Sequence, residues 1–219
     1  LRRELSRLPG PIGLVAQVFD EQKLQALTGQ VAIGHTRYST TGSNAWTNVQ
    51  PLVQHGRART VALGHNGNLT NASELRAELG AVGVKLGATS DTELIAALLA
   101  HDPSPLPLAV AQTMARIEGA YSIVALADGA LVAFRDPHGI RPLSLGRLGE
   151  DWVVASETSA LDLIGADFVR DLRPGELVVV DAEGLHSTQA LPEGAGAACI
   201  FEHVYFARPD SKVGGVDVY

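Results

Sequence analysis

The sequence predicts an α+β fold with mainly antiparallel sheets, and three observations carry that expectation. Helix patterns gather in the first half of the chain and strand patterns in the second. The pair Asp128-Gly129 separates two apolar runs, a strong two-residue hairpin signal. The regular strand–helix alternation of a doubly wound parallel sheet is missing.

In chain order, residues 20–28 read as a short helix stopped by Gly29. Residues 31–38 read as a strand running into a Thr/Gly/Ser/Asn loop at 40–48, and residues 60–65 as a second strand ending in the turn signal Asn66-Gly67-Asn68. A helix over 71–79 is stopped by Gly80. Ser90-Asp91-Thr92-Glu93 matches a capping box, in which Ser90 caps and Glu93 reaches back, so a helix is expected from there through Leu99. Another helix spans 107–117. Strands follow at 121–127, 130–134, 143–148, 152–156, 176–181 and 184–188. The small residues 194–198 read as a linker, Cys199 as part of an apolar strand with Ile200 and Phe201, and 215–219 as a last strand.

Composition bounds the function. A chain of 219 residues makes one large domain or two small ones. With 46% hydrophobic and 19% charged residues it can build a packed core, which excludes wholesale disorder. The net charge of −7 argues against a nucleic-acid partner. A single cysteine, Cys199, allows no internal disulfide and no cysteine-rich zinc site. There is no run of 18 apolar residues, so no membrane span is expected. The first apolar stretch is broken by Pro9, Pro11 and Gln17, unlike a signal peptide. Together these features lead us to expect a soluble, cytoplasmic protein. The chain opens at Leu1 and closes at Tyr219 within a strand pattern, and it reads as a fragment of something longer.

Three segments carry candidate chemistry, each with a structural alternative. In the segment 34–42, Arg37 stands at a strand end before hydroxyls and glycine. A guanidinium there suits a small carboxylate, held by a planar fork, or else pairs with a neighbouring acid. In Gly64-His65-Asn66-Gly67-Asn68, the Asn66 amide beside the Gly67 N–H makes either an oxyanion hole or an ordinary Asn-Gly turn. Asp91, in a first helical turn, either complements the helix dipole or pairs with a ligand ammonium. No Gly-x-Ser-x-Gly elbow, His-Glu-x-x-His zinc motif or phosphate-binding P-loop is present. Cys199 reads by default as a buried, inert thiol.

Taken in order, these segments resemble the glutamine phosphoribosylpyrophosphate amidotransferase (amidophosphoribosyltransferase) family. The resemblance rests on 34–42, 64–71, 90–93, Arg135-Asp136-Pro137-His138-Gly139-Ile140-Arg141-Pro142-Leu143, Ala155-Ser156-Glu157-Thr158 and the block 201–211. It runs from about Gly13 to Tyr219. Tyr38 and the 201–211 block separate it from other class II glutamine amidotransferases, such as glucosamine-phosphate synthase and asparagine synthetase. The domain layout expected is an unmatched segment 1–12, an incomplete amidotransferase domain 13–198, and a junction 199–219 toward a phosphoribosyltransferase domain.

The resemblance implies an N-terminal-nucleophile fold, an αββα sandwich of two antiparallel sheets between helix layers, here truncated at its N-terminus. It implies that Arg37 holds the glutamine α-carboxylate, that Asp91 holds the α-ammonium, that Asn66 and the Gly67 N–H form the oxyanion hole, and that Thr40 assists. The substrates implied for the whole enzyme are glutamine and phosphoribosyl pyrophosphate, the latter with Mg²⁺ in the second domain, in a homo-oligomeric parent. The product implied is 5-phosphoribosylamine, in the first committed step of purine synthesis. The family nucleophile is a cysteine at the first residue, activated by its own α-amino group. This sequence has Leu1 there and no cysteine before Cys199, so the chain alone is expected to be inactive. Some members use a cysteine at the place of Cys199 as an iron–sulfur ligand. No cluster is expected on this chain alone. A non-catalytic glutamine- or glutamate-binding remnant and another class II amidotransferase stand as alternative readings.

Overall fold

A computed structural model describes residues 15–36 and 46–218. Residues 1–32 and 33–219 form two compact units. In the described part of the first, α1 (Val15–Val18) precedes α2 (Glu21–Gln25). Asp20 caps α2 by accepting from the Lys23 N–H. This helix falls within the expected 20–28.

The second unit is built around a six-stranded antiparallel sheet. A 3₁₀ turn (Trp46–Asn48) leads into β1 (Leu52–His55) and the long β2 (Thr60–Leu69). Three helices follow: α3 (Ala72–Ala81), α4 (Asp91–His101) and α5 (Leu106–Met114). Then come β3 (Gly119–Ala127) and β4 (Ala130–Arg135), joined by Asp128-Gly129. Both turn residues have positive φ, 52° and 82°, as a turn matching the twist of the strands requires. Strands β5 (Ser144–Leu148) and β6 (Asp151–Ala155) precede α6 (Thr158–Ile164), β7 (Asp167–Asp171), β8 (Glu176–Asp181) and β9 (Gly184–Gln189). A π-helical turn (Glu202–Phe206) and a two-residue hairpin, β10 (Lys212–Val213) with β11 (Val216–Asp217), end the described chain.

The large sheet has the order β1-β2-β3-β4-β8-β9 and the smaller one β6-β5-β7. Alternation along the strands makes the layers. Ile123, Ala125, Val132, Phe134, Leu177 and Val179 belong to the core shared with helices α3 to α5. Their neighbours Val124, Ala133, Val178 and Val180 join Leu143, Leu145 and Leu172 against the small sheet. On the far side of β5, a Cβ at Gly146 would stand 2.9 Å from Leu161 of α6, so a glycine there lets the last helix lie close on the sheet. The layers therefore run helices, sheet, sheet, helix, as the resemblance implies. Helix α4 is buried on every side from Asp91 to Ala100, as a helix apolar around its circumference must be.

Several local expectations are corrected. Residues 31–36 contain no strand, and the rest of 31–38 lies outside the described residues. Asn66-Gly67-Asn68 is not a turn, because β2 continues through it, paired with β3 from Val61 to Leu69. The capping box does not form. The Ser90 hydroxyl is buried with no partner among the described residues. Glu93 instead accepts from the N–H groups of Gly87 and Ala88. The N–H groups of Thr89 and Ser90 go to Asn48 Oδ1, a partner 41 and 42 residues away that local pattern cannot reveal. Cys199 is half-buried ahead of a helical turn, not in a strand. Strands β1 and β7 and helix α6 are absent from the sequence reading.

Candidate active site

The site grows from the unequal lengths of β1 and β2. β1 pairs only with Thr60–Leu63, so among the described residues no strand pairs with the outer edge of β2 from Gly64 onward. Backbone N–H groups alternate sides along a strand. The Thr70 N–H bonds to Glu118 toward β3, so odd-numbered N–H groups face the outer edge. Two of them are claimed by side chains: His65 N–H donates to Gln50 Oε1 at 2.6 Å and Leu69 N–H to Asp91 Oδ2 at 2.9 Å. The Gly67 N–H lies between them on that edge, and no side chain among the described residues accepts from it. Gly67 has φ +148°, and a Cβ there would run into the Ala120 carbonyl and stand 2.9 Å from His65 Nε2. Only glycine fits.

Asp91 is the first residue of α4 and nearly buried. Its Oδ1 stands 3.6 Å from His65 Nδ1. Burial pushes this carboxyl up, but His65 and the N–H groups of Leu69 and Thr92 outweigh it and hold Asp91 below the ordinary carboxylate range. The group is therefore ionised at neutral pH. An open cleft of about 210 Å³ runs past it, lined by Asn68, Leu69, Ala72, Arg76, Thr89 and Asp91 among others. Gly67 and Asn66 come next along β2, outside that lining. His35 packs over Gly64, its Nδ1 3.4 Å from where a Cβ would stand. Arg37 and Thr40 lie outside the described residues.

Asn66 is half-buried, and its Oδ1 accepts from Arg141 Nε at 3.1 Å and Nη2 at 2.6 Å. Sequence reasoning gave Arg141 no role, although it stands in the 135–143 block. It also missed Gln50 and His65, whose contacts span 15 and 26 positions of chain. Cys199 Sγ lies 4.0 Å from Arg141 Nη1. It offers one thiolate where an iron–sulfur cluster takes four ligands, and no group of three or more His, Cys, Asp or Glu among the described residues could hold a metal. Cys199 alone does not fit a cluster, and no step below passes through one. No helix of the described residues is long and apolar enough to cross a membrane.

The αββα layering of two antiparallel sheets between helices is the fold of a glutamine amidotransferase domain. The chain belongs to the glutamine amidotransferase domain family, whose profile matches residues 35–163. It is 51% identical over 217 residues to the amidophosphoribosyltransferase of Mycobacterium tuberculosis (strain ATCC 25618 / H37Rv), covering 95% of this chain and 41% of that protein. It is 46% identical over 210 residues to the chloroplastic amidophosphoribosyltransferase 2 of Arabidopsis thaliana, covering 95% of this chain and 37% of that protein. Among solved structures it resembles the glutamine phosphoribosylpyrophosphate amidotransferase of B. subtilis complexed with ADP and GMP. There the TM-score is 0.86 at 36% identity, covering 94% of this chain and 45% of the other. The chain thus spans about two-fifths of the length of the curated relatives it matches.

Proposed function

We propose that this chain is the glutamine-cleaving part of an amidophosphoribosyltransferase. The whole protein would release ammonia from glutamine and transfer it to phosphoribosyl pyrophosphate, giving 5-phosphoribosylamine, pyrophosphate and glutamate with uptake of one water. The observation that carries this reading is the stretch of β2 beyond its pairing with β1, where the Asn66 amide and the Gly67 N–H stand a few residues from Leu69, whose N–H meets an ionised Asp91.

In this reading the Asp91 carboxylate binds the α-ammonium of glutamine, and Arg37 binds its α-carboxylate through a fork. Attack of a thiolate on the side-chain amide carbon makes a tetrahedral oxyanion, which Asn66 Nδ2 and the Gly67 N–H stabilise as charge develops. Collapse expels ammonia and leaves a thioester. Water hydrolyses the thioester to glutamate and the free thiol. The thiol belongs to an N-terminal cysteine whose α-amine takes and returns the proton. Cys199 is not that group: it sits mid-chain, its nitrogen is an amide, and its sulfur faces Arg141. Phosphoribosyl pyrophosphate and Mg²⁺ belong to the transferase part of the whole protein.

The test is glutamine hydrolysis by the native polypeptide purified from its source, with its N-terminal residue sequenced. The expected result is a free N-terminal cysteine and measurable ammonia release. Asn66→Ala should lower kcat by about 10²–10³-fold, because the lost donor acts only in the transition state. Asp91→Asn should chiefly raise KM. A native protein that binds glutamine without releasing ammonia would instead be a binding module.

A further inference from the structure

Three strands place Asn66 (β2), Ser122 (β3) and Arg135 (β4) side by side in register, on one face of the large sheet. All three reach the same residue of the loop that leaves β4. Ser122 Oγ and Arg135 Nε donate to the Arg141 carbonyl at 2.9 and 2.7 Å. Arg135 also donates to the Leu172 and Gly139 carbonyls, and the fully buried Asp136 accepts from the N–H groups of His138 and Ile140. The backbone of Arg141 is therefore tied down before its side chain does anything. That side chain, 16% exposed, then returns to the row and lays two donors on Asn66 Oδ1. Its remaining nitrogen, Nη1, stands 2.8 Å from Oε1 of buried Glu202, and its Cζ lies 4.8 Å from the centroid of the Phe206 ring.

We propose that Arg141 is a positioning residue of the glutaminase site, fixing the Asn66 amide so that Nδ2 is its free donor, with Glu202 holding Arg141 in that pose. This rests on the function proposed above. A side-chain amide has two orientations related by a half turn, and only one presents the NH₂ to an oxyanion. Guanidinium carries donors only, so the half turn would set donor against donor. Among the described residues nothing accepts from Asn66 Nδ2, so the donor that Arg141 leaves over is unspent. Preorganised donors stabilise developing charge because they need not reorient during reaction. Glu202 and Phe206 belong to the turn at 202–206, so the setting of the oxyanion donor depends on a segment more than 130 residues away in sequence.

The experiment uses the native full-length protein and reads two things: glutaminase kcat and KM, and the NH₂ resonance of the Asn66 side chain, assigned by its loss in Asn66→Ala. Arg141→Ala and Arg141→Lys should each lower kcat by about 10–100-fold with KM within about twofold, since the loss falls on the transition state. Lysine keeps the charge opposite Glu202 but cannot fork. Glu202→Gln should lower kcat in the same sense, and it supplies the comparison along with Arg141→Lys if Arg141→Ala does not fold. Asn66→Ala/Arg141→Ala should be no slower than Asn66→Ala alone, because Arg141 acts through Asn66. The Asn66 resonance should shift or broaden in Arg141→Lys. Losses that multiply in the double variant, or an unchanged kcat and an unchanged resonance in Arg141→Lys, overturn the proposal. A wild type without glutaminase activity whose Asn66 resonance still responds to Arg141→Lys sinks the proposed function and leaves the positioning intact.

Discussion

At the scale of single residues, Gly67 is the least replaceable position of the site. Its φ lies in the region that L side chains avoid, and both the Ala120 carbonyl and His65 Nε2 occupy the space of a Cβ. Gly67→Ala should cost at least 1–3 kcal/mol, roughly, in urea unfolding, with ammonia release falling further than stability does. Asp91 was legible from sequence as an acid in a first helical turn, and Asn66-Gly67 as a special local pair. What could not be read was their setting. The turn expected at 66–68 is a strand because β3 pairs with it throughout, and pairing over a gap of more than 50 residues leaves no trace in a five-residue window. Arg141 was equally invisible: an arginine in a Pro/Gly-rich loop has no spacing that announces an asparagine 75 positions earlier.

At the scale of elements, the two sheets are joined by a polar clamp as well as by apolar packing. Arg170 on β7 forks onto Glu176 on β8 at 2.7 and 2.6 Å, and Glu176 also accepts from Ser187 and from the Arg173 N–H. Burial pushes this carboxyl up. The Arg170, Ser187 and Arg173 bonds outweigh burial and hold it below the ordinary glutamate range. A carboxyl so lowered stabilises the fold above its unfolded pKa, and that contribution is lost as pH falls through the folded value. Arg170→Ala removes the fork from a buried carboxylate that keeps Ser187 and the Arg173 N–H, and should cost about 1.5–3 kcal/mol near pH 7. In chemical denaturation the gap between wild type and variant should shrink below roughly pH 4. The β3–β4 hairpin and β8 were readable because their signals are local: Asp-Gly at a turn, and a short β-branched apolar run along a strand. β7 was not, since its exposed Phe168 and Val169 break the in–out alternation by which a strand is recognised.

At the scale of the whole molecule, the antiparallel α+β class follows from sequence alone. The layer order does not, because periodicity says that a strand has two faces and not what each meets. That information lies in which alternate set is met by helices and which by the small sheet. Phe134 shows the difference. It is fully buried on the helix side, edge-on to Tyr121 with centroids 6.0 Å apart, while its neighbour Ala133 faces the other way, where only a small side chain stands. Phe134→Ala should cost about 3–5 kcal/mol and lower the urea midpoint with little change in slope.

The alternation of claimed and unclaimed N–H groups along β2 also makes a natural isotopic probe. His65 and Leu69 give their amide hydrogens to the side chains of Gln50 and Asp91, so deuterium should enter them only when those side chains let go. Gly67, between them and without an acceptor among the described residues, should exchange faster than either. A ligand oxygen bound there would slow that one site and leave its neighbours unchanged, and so report occupancy without a turnover.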